Sequence, residues 1–293
     1  MKSNSGSMMK KISAFVNLQS GSVPADGGGA LARVLADLGY AANITAFEEG
    51  DVPASIQRAI DQSPDYLVAW GGDGTINSAL TAAGTEGPAV LALPGGTMNL
   101  LHQRLHPGHT RWDDILVSAL EAPAAVPWAA GDIGGQRFYV AAMVGRLTTL
   151  SESREYLRKG ALLEAIRAAA SNAAFDMQTR LQFRSHIGDR TLGTEATAGA
   201  IVLAGERRPR FDVAAIDPRT QLDLLNVGLQ SLLNGWRDSD DVTVETAHEV
   251  TVEDLNGDPI PATIDGEPCE LPSISEFRVV PNAVNVLRAK PVT

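Results

Sequence analysis

The sequence predicts an α/β domain with a parallel sheet, followed by a mostly antiparallel β domain. In the first part of the chain, near-continuous apolar strands alternate with helical segments, as in a parallel sheet with helices on both faces. In the second part, short apolar stretches are separated by Gly, Pro and Asp, as in an antiparallel sheet. The character changes near Pro123–Pro127. We therefore expect domains at 9–128 and 129–282, with 283–293 as a candidate completion of the first.

Hydrophobic spacing predicts the individual elements. Leu31, Val34, Leu35 and Leu38 recur on one helical face, which predicts a helix over Gly27–Leu38. The other elements predicted in the first domain are the strands Ile12–Val16, Ala42–Ala46, Tyr66–Trp70 and Ala89–Leu93 and the helices Val52–Ile60, Ile76–Ala83 and Met98–Leu105. Those predicted in the second domain are one helix, Leu157–Ala170, and the strands Phe138–Met143, Leu181–Phe183, Ala200–Leu203, Leu222–Leu229, Val242–Thr246, Val250–Val252 and Phe277–Val280.

Composition excludes several classes of protein. Of the 293 residues, 44% are hydrophobic and 20% charged, which is typical of a folded globular protein. The formal net charge of −11 argues against wholesale binding to nucleic acid. The one cysteine, Cys269, rules out an intramolecular disulfide and suits a cytoplasmic location. No apolar run is long enough to span a membrane, and Met1–Ser7 resembles an expression tag, so we expect the natural start at Met8 or Met9.

The most informative motif is Gly71-Gly72-Asp73-Gly74-Thr75, which directly follows a predicted strand and opens a predicted helix. Its glycines let the backbone approach a ligand, and the N–H groups at a helix start favour an anion such as phosphate. A carboxylate inside such a phosphate site would be repulsive without a cation, so Asp73 predicts Mg²⁺. A purely structural glycine-rich turn is the alternative interpretation. Neither the dinucleotide fingerprint nor a P-loop fits this spacing.

Two further loops follow strands of the same predicted sheet. Asn17–Gly21 follows the first strand, and Pro94–Asn99 follows the fourth. Open parallel sheets bind ligands at the carboxyl ends of their strands, so the three loops are expected to converge on a nucleotide. The nucleotide-binding residues predicted here and from the resemblance below are Asn17, Ser20, Thr45, Gly71, Gly72, Asp73, Gly74, Thr75, Asn77, Gly96, Thr97 and Asn99.

The chain resembles the diacylglycerol-kinase catalytic-domain family, especially its bacterial lipid kinases, which are related to sphingosine kinases. The resemblance rests on the GGDGT motif, on the loops Asn17–Gly21 and Pro94–Asn99, on Asp132, on Gly160-Ala161-Leu162 and on Asp265-Gly266-Glu267. It implies an ATP-dependent lipid kinase with Mg²⁺ as cofactor and an active site in a cleft between two domains. It also implies catalytic roles for Asp73, Asp265 and Glu267, with Asp265 favoured over Glu267 as the general base. Asp73 and Asp132 are the implied metal ligands.

The resemblance further implies a lipid acceptor, diacylglycerol-like or sphingoid, taken at a membrane surface or extracted from it. We therefore expect a cytoplasmic protein, peripheral at the membrane, without a transmembrane segment or a nucleic-acid partner. A homo-oligomer is compatible with the sequence, and the acceptor lipid stays open.

Some positions depart from the family pattern. Leu100 stands where the family commonly has Asp, and Asp217–Gln221 keeps only the first carboxylate of a structural metal loop, so no metal is expected there. These departures leave open a pseudokinase that binds nucleotide or lipid without transfer. A NAD-kinase-like transferase also stays open, because NAD kinases share the GGDGT motif. Glu206–Arg210 also replaces a segment that is rich in Asn and Gly in the family. We interpret the run His102, His106 and His109 as a helix end rather than a metal site.

Overall fold

The computed structural model describes residues 10–97, 99–145, 180–187, 190–216 and 242–291. The chain divides into two compact units, one of residues 1–128 with 282–293 and the other of residues 129–281. The predicted helix Leu157–Ala170, the Gly160-Ala161-Leu162 motif, the strand Leu222–Leu229 and the loop Asp217–Gln221 lie outside the described residues.

Five parallel strands, with helices between them, form the first unit. Its elements in chain order are β1 (Ile12–Asn17), α1 (Gly27–Asp37), β2 (Ala42–Phe47), α2 (Val52–Ile60), β3 (Tyr66–Gly71), α3 (Asp73–Ala83), β4 (Ala89–Pro94), α4 (Leu100–Leu105) and α5 (Trp112–Leu120). The strand order is β2-β1-β3-β4, and the end of the last strand of the chain, β16 (Ile274–Leu287), pairs in parallel with β4 through Val286 and Val90.

Local sequence explains most of these elements. The central strands β1, β3 and β4 are buried almost throughout, because helices cover both faces of the sheet. The carboxylate of Asp51 caps α2 by accepting the N–H of Ala54, and a proline occupies the first turn, where no N–H donor is needed. Trp70 of β3 stacks on Trp112 of α5 with ring centroids 4.4 Å apart.

Antiparallel pairing dominates the second unit. Its remaining elements are β5 (Ala125–Ile133), β6 (Gln136–Phe138), β7 (Ala141–Gly145), β8 (Leu181–Ile187), β9 (Arg190–Ala196), β10 (Ala198–Ala204), β11 (Arg210–Ile216), β12 (Val242–Ala247), β13 (Glu249–Asp254), β14 (Ile260–Ile264) and β15 (Glu267–Leu271). One sheet has the order β12-β11-β10-β7-β14-β15, and the other joins β16, β13, β8 and β9. Phe138, Phe183, Phe211 and Phe277 are fully or almost fully buried and belong to one apolar core.

The predicted fold class is confirmed, and some boundaries differ. The predicted strand Phe138–Met143 is interrupted between β6 and β7, at Tyr139 and Val140. Helix α4 begins at Leu100 rather than Met98, because Asn99 adopts a left-handed φ of 51° that a helix cannot continue through. The helix α5 and the strands β5, β9, β11, β14 and β15 were not predicted. Among the described residues, no helix is long and apolar enough to cross a bilayer.

Candidate active site

Three loops leave the carboxyl ends of β1, β3 and β4 in the first unit. From β1 the chain crosses to β2 on one side, and it then returns to β3 on the other side of β1. The strand order therefore reverses between β1 and β3, which is where parallel sheets open a crevice for a ligand. Asn17 ends β1 and Gly71 ends β3, so the first loop and the GGDGT loop flank this switch point.

Side chains join the first loop to the GGDGT loop. The Asn17 side-chain amide donates a hydrogen bond of 2.9 Å to the Thr75 hydroxyl. The Ser20 hydroxyl accepts one of 3.1 Å from the Gly72 N–H. Both contacts join residues that the sequence assigned to the nucleotide site. The Gly72 N–H is therefore bonded to Ser20, whereas the sequence alone predicts that this N–H binds phosphate.

The third loop packs closely against the other two. A Cβ at Gly95 would lie 2.8 Å from the Gly71 Cα, and a Cβ at Gly96 would lie 2.8 Å from the Gly72 Cα, so neither position has room for a larger residue. The Asn99 carboxamide closes the loop on itself, accepting the Gly96 N–H and donating to the Gly96 carbonyl at 2.8 Å each. The structural alternative thus accounts for these two glycines through loop packing alone.

Sequence reasoning missed two residues that hold these loops. Ser22 donates from its N–H to the Gly95 carbonyl and from its hydroxyl to the Gly96 carbonyl, at 2.9 and 3.0 Å. The indole of Trp70 donates to the Pro94 carbonyl at 2.9 Å. The only sequence signal for the role of Ser22 was its position just beyond the Asn17–Gly21 motif. Trp70 lies in an apolar strand, and nothing in the sequence signalled its role.

Asp73 points at the start of α4. Its Oδ1 accepts the Leu101 N–H at 3.0 Å. Burial raises the pKa of the Asp73 carboxyl above its usual range, and the backbone N–H groups of Leu101, Leu100 and Asn99 act in the opposite direction. The N–H groups at the beginning of α4 therefore offset part of the cost of burying this carboxylate.

The donor set limits how a metal could be held here. The described residues contain no cluster of three or more His, Cys, Asp or Glu side chains, and Leu100 adds no carboxylate. Mg²⁺ commonly binds through one or two carboxylates together with substrate phosphates and water. Asp73 fits that mode as a single protein carboxylate, directly or through water, and it does not fit a site built by the protein alone.

Two buried histidines lie at α4, His102 within the helix and His106 directly after its last residue. His102 and His106 have ring centroids 6.0 Å apart and are 4% and 0% exposed. Nδ1 of His106 accepts the Ala289 N–H at 3.1 Å. Burial lowers the pKa of His106 to about 3, and burial also lowers the pKa of His102. His109 lies outside this pair, with Nε2 2.8 Å from the Lys290 carbonyl oxygen.

In the second unit, Asp265 and Gly266 form the two-residue turn between β14 and β15. Both have positive φ, 46° and 87°, as expected for the Asp-Gly turn of a tight hairpin. The Asp265 carboxylate is buried and accepts three consecutive backbone N–H groups, from Tyr139 at 2.7 Å, Val140 at 2.8 Å and Ala141 at 3.0 Å. These bonds hold the chain between β6 and β7, which explains the break in the predicted strand.

Glu267 and Asp132 also lie in the second unit. Glu267 is exposed at the first position of β15, directly after the turn. Asp132 lies near the end of β5, where its carboxylate accepts the Gly135 N–H at 3.2 Å across the turn to β6.

The remaining predicted residues lie in the first unit. Thr45 lies inside β2, in register with Phe15, rather than at the end of a strand. Asn77 is half-buried on α3, while Gly74 in the first turn of α3 and Thr97 on the loop after β4 are exposed. The structure thus brings together the residues of the three loops, whereas Thr45 lies apart from the contacts that join them.

Comparison with known proteins finds a matching domain model and similar solved structures. Residues 11–126 match the model of the diacylglycerol kinase catalytic domain. A candidate diacylglycerol kinase of Bacillus anthracis str. Sterne is similar in structure, with a TM-score of 0.72 at 16% identity, covering 97% of this chain and 98% of that one. A diacylglycerol kinase of the same organism gives 0.66 at 14% identity, covering 95% and 97%.

At these identities the structural likeness shows a shared fold, and it extends over both units. The family match covers the three loops of the candidate site, from β1 to the end of α5. The resemblance found in the sequence is confirmed. Residues 11–126 are thus similar to the diacylglycerol kinase catalytic domain.

Proposed function

We propose that the protein transfers the γ-phosphoryl group of ATP to a hydroxyl of a lipid, either diacylglycerol-like or sphingoid. The acceptor oxygen forms a bond to the γ-phosphorus as the bond to the bridging oxygen breaks. ADP leaves, and the hydroxyl proton passes to a carboxylate base. The observation that carries the proposal is the meeting of three glycine-containing loops at the switch point of a parallel sheet. The family match supports a lipid kinase at the family level.

The loop after β3 suits the phosphate-binding role. Gly72 precedes α3, an eleven-residue helix whose first N–H groups and dipole favour an anion. Asn17, Ser20 and Asn99 fix the neighbouring backbone through the hydrogen bonds described above. A loop held in one conformation loses little entropy when a ligand binds, so this arrangement favours nucleotide affinity.

Asp73 is the residue we propose to contact Mg²⁺ carried by the nucleotide. When bound, the metal neutralises charge on the phosphates, which is a large part of catalysis in phosphoryl transfer. Asp73 itself orients the start of α4 through Leu101, so it links the loop after β3 to the loop after β4.

The hydrogen bonds of Asp265 argue against its role as the general base, which the sequence analysis favoured over Glu267. Three N–H groups occupy most of the acceptor capacity of its carboxylate, whereas Glu267 is exposed two residues later. We therefore propose Glu267 as the base and Asp265 as the residue that positions the turn.

Phosphate transfer from labelled ATP to a panel of acceptors tests this proposal. The panel contains diacylglycerol, sphingosine and ceramide in mixed micelles and NAD in solution, each with and without Mg²⁺. We expect a labelled lipid product that is lost in Asp73→Ala and kept in Asp114→Ala, an exposed aspartate on α5. Transfer to NAD alone would favour the NAD-kinase-like alternative.

One observation favours a second candidate, a pseudokinase that binds ATP without transferring phosphate. The Asp73 carboxylate is already bonded to the α4 backbone, and Leu100 supplies no second carboxylate. ATP binding measured by calorimetry, together with absence of any labelled product from the whole panel, would select this candidate.

A further inference from the structure

We propose that the hairpin loop between β10 and β11, residues Gly205–Pro209 together with Arg210, docks the protein on an anionic lipid surface. The proposal rests on the proposed lipid-kinase function, because it concerns how the acceptor membrane reaches the Asp265–Gly266 turn. It adds the partner surface and the residues that contact it.

The loop presents two arginines without partners. Arg207 and Arg208 are exposed, and neither makes an ion pair or side-chain hydrogen bond within the described part of the chain. Other exposed arginines of this unit differ, since Arg180 contacts Glu195 at 2.6 Å and Arg278 contacts Glu276 at 2.8 Å. Two adjacent unpaired cations stand out in a chain with a net charge of −11.

The conformation of the loop is set by its ends. Ala204 of β10 pairs with Arg210 of β11, which leaves a short loop between them. Gly205 has a φ of 77°, and a Cβ there would lie 2.4 Å from the Arg208 carbonyl oxygen, so only glycine fits this turn. Arg210 lies 3.5 Å from the buried carboxylate of Asp212. The loop therefore projects Arg207 and Arg208 from an anchored base.

The position of the loop in the sheet connects it to the candidate base. Leu203 donates its N–H to the Val140 carbonyl, and Asp265 donates its N–H to the Ala141 carbonyl, both at 2.9 Å. β10 and β14 thus flank β7, and the basic loop and the Asp265–Gly266 turn lie at the same end of this sheet. Adjacent strands are about 4.8 Å apart, so the two strands are separated by roughly 10 Å.

The chemistry of arginine favours phosphate-bearing head groups. The guanidinium group binds phosphate oxygens through paired N–H donors, and its charge is permanent. The negative potential of an anionic leaflet attracts it, while the acidic remainder of the surface is repelled. A membrane held by Arg207 and Arg208 would therefore lie against the end of the sheet that carries Glu267.

Vesicle flotation with the full chain tests the docking surface. The probes are vesicles of phosphatidylcholine alone and of phosphatidylcholine with phosphatidylglycerol, at low and high salt. Each arginine near an anionic surface contributes about fivefold in affinity, so we expect the double variant Arg207→Ala, Arg208→Ala to bind the anionic vesicles roughly 30-fold less tightly. The matched double variant Arg180→Ala, Arg278→Ala should bind as the unsubstituted protein does.

The other outcomes of these experiments would overturn either the docking surface or the kinase function. Equal binding to both kinds of vesicle, no binding of the unsubstituted protein, or no loss in the Arg207, Arg208 variant would overturn the proposal. A loss of ATP affinity measured without lipid would overturn it as well, because the arginines would then contact the nucleotide. Phosphate transfer is scored separately, so vesicle binding without lipid phosphorylation would retain the docking surface and reject the kinase.

Discussion

The side-chain amide of Asn17, at the end of β1, donates a hydrogen bond of 2.9 Å to the hydroxyl of Thr75 on α3. The bond joins the end of β1 to the helix that follows β3, across the point where the order of the parallel sheet reverses. Thr75 is 6% exposed, and it also fills the space that a side chain at Gly71 would need. One contact thus fixes the first loop against the GGDGT loop before any ligand binds.

We expect Thr75→Val to weaken ATP binding through this contact. Valine keeps the shape of threonine but leaves the Asn17 amide without its acceptor, which costs about 1 kcal/mol. Calorimetric titration of ATP against Thr75→Val, Asn17→Ala and the double variant measures the coupling. We expect the two effects to be clearly less than additive. Thr246→Val, at an exposed position of β12 in the second unit, is the control. Additive effects would show that the contact does not shape the site.

Substitutions at Gly72 and at Gly96 distinguish the role of the glycines in loop packing from their role in ligand binding. Gly72 has a φ of −78° and space for a Cβ, which would lie 3.5 Å from the Gly96 Cα, whereas a Cβ at Gly96 would lie 2.8 Å from the Gly72 Cα. We expect Gly96→Ala to lower the melting temperature by roughly 2–4 °C.

Gly72→Ala should leave the melting temperature nearly unchanged and weaken ATP binding by about tenfold, because its methyl group stands where the loop would approach phosphate. Thermal unfolding and ATP titration of the two variants give the comparison. An unchanged ATP affinity in Gly72→Ala would mean that this loop does not contact the nucleotide.

The pH dependence of stability should report the buried His106. Its pKa is about 3 in the folded chain and about 6.5 when unfolded, so the unfolded state binds more protons between these values. The stability from neutral His106 is complete above pH 6.5 and is lost as the pH falls toward 3. The slope is about 1.4 kcal/mol per pH unit, so a change from pH 6.5 to 5 costs roughly 2 kcal/mol.

His106→Asn should flatten this dependence. The Asn side chain can still accept the Ala289 N–H, but it does not titrate. Urea unfolding at several pH values measures the slope, which is independent of the constant cost of the smaller side chain. His248→Asn, an exposed histidine in the second unit, is the control. A slope in His106→Asn equal to that of the unsubstituted protein would contradict the assignment.

Local patterns made much of the first unit predictable. Apolar strands and helical spacing predicted its elements from β1 to α4 to within three residues, although α5 was missed, and the glycine loops followed from the same order. The break at Tyr139 and Val140 was not predictable, because it depends on the carboxylate of Asp265, 126 and 125 residues away. The Asp-Gly pair predicts a turn, but no local signal shows that its carboxylate is buried. Strand β9 was missed because Arg190–Ala196 lacks an apolar alternation.

Asp265 and Glu267 should respond differently to substitution. Asp265→Asn places an amide N–H₂ against backbone donors, so at least one of three buried hydrogen bonds is lost, at a cost of about 1–3 kcal/mol. We expect it to lower the melting temperature and to reduce kcat while the pH profile keeps its shape. Glu267→Gln changes an exposed side chain, so the melting temperature should hold while kcat falls by about 10²–10⁴ with ATP affinity retained.

Steady-state kinetics across pH, with thermal unfolding of the same samples, distinguish the two roles. Glu270→Gln, another exposed glutamate on β15, controls for the loss of a nearby negative charge and should behave as the unsubstituted protein. If Glu267 is the base, the acidic limb of the kcat profile should disappear in Glu267→Gln and remain in Asp265→Asn, since the limb reports protonation of the base. A large loss of kcat in Asp265→Asn with an unchanged melting temperature would return the role of base to Asp265. Full kcat in both variants would remove the turn from catalysis.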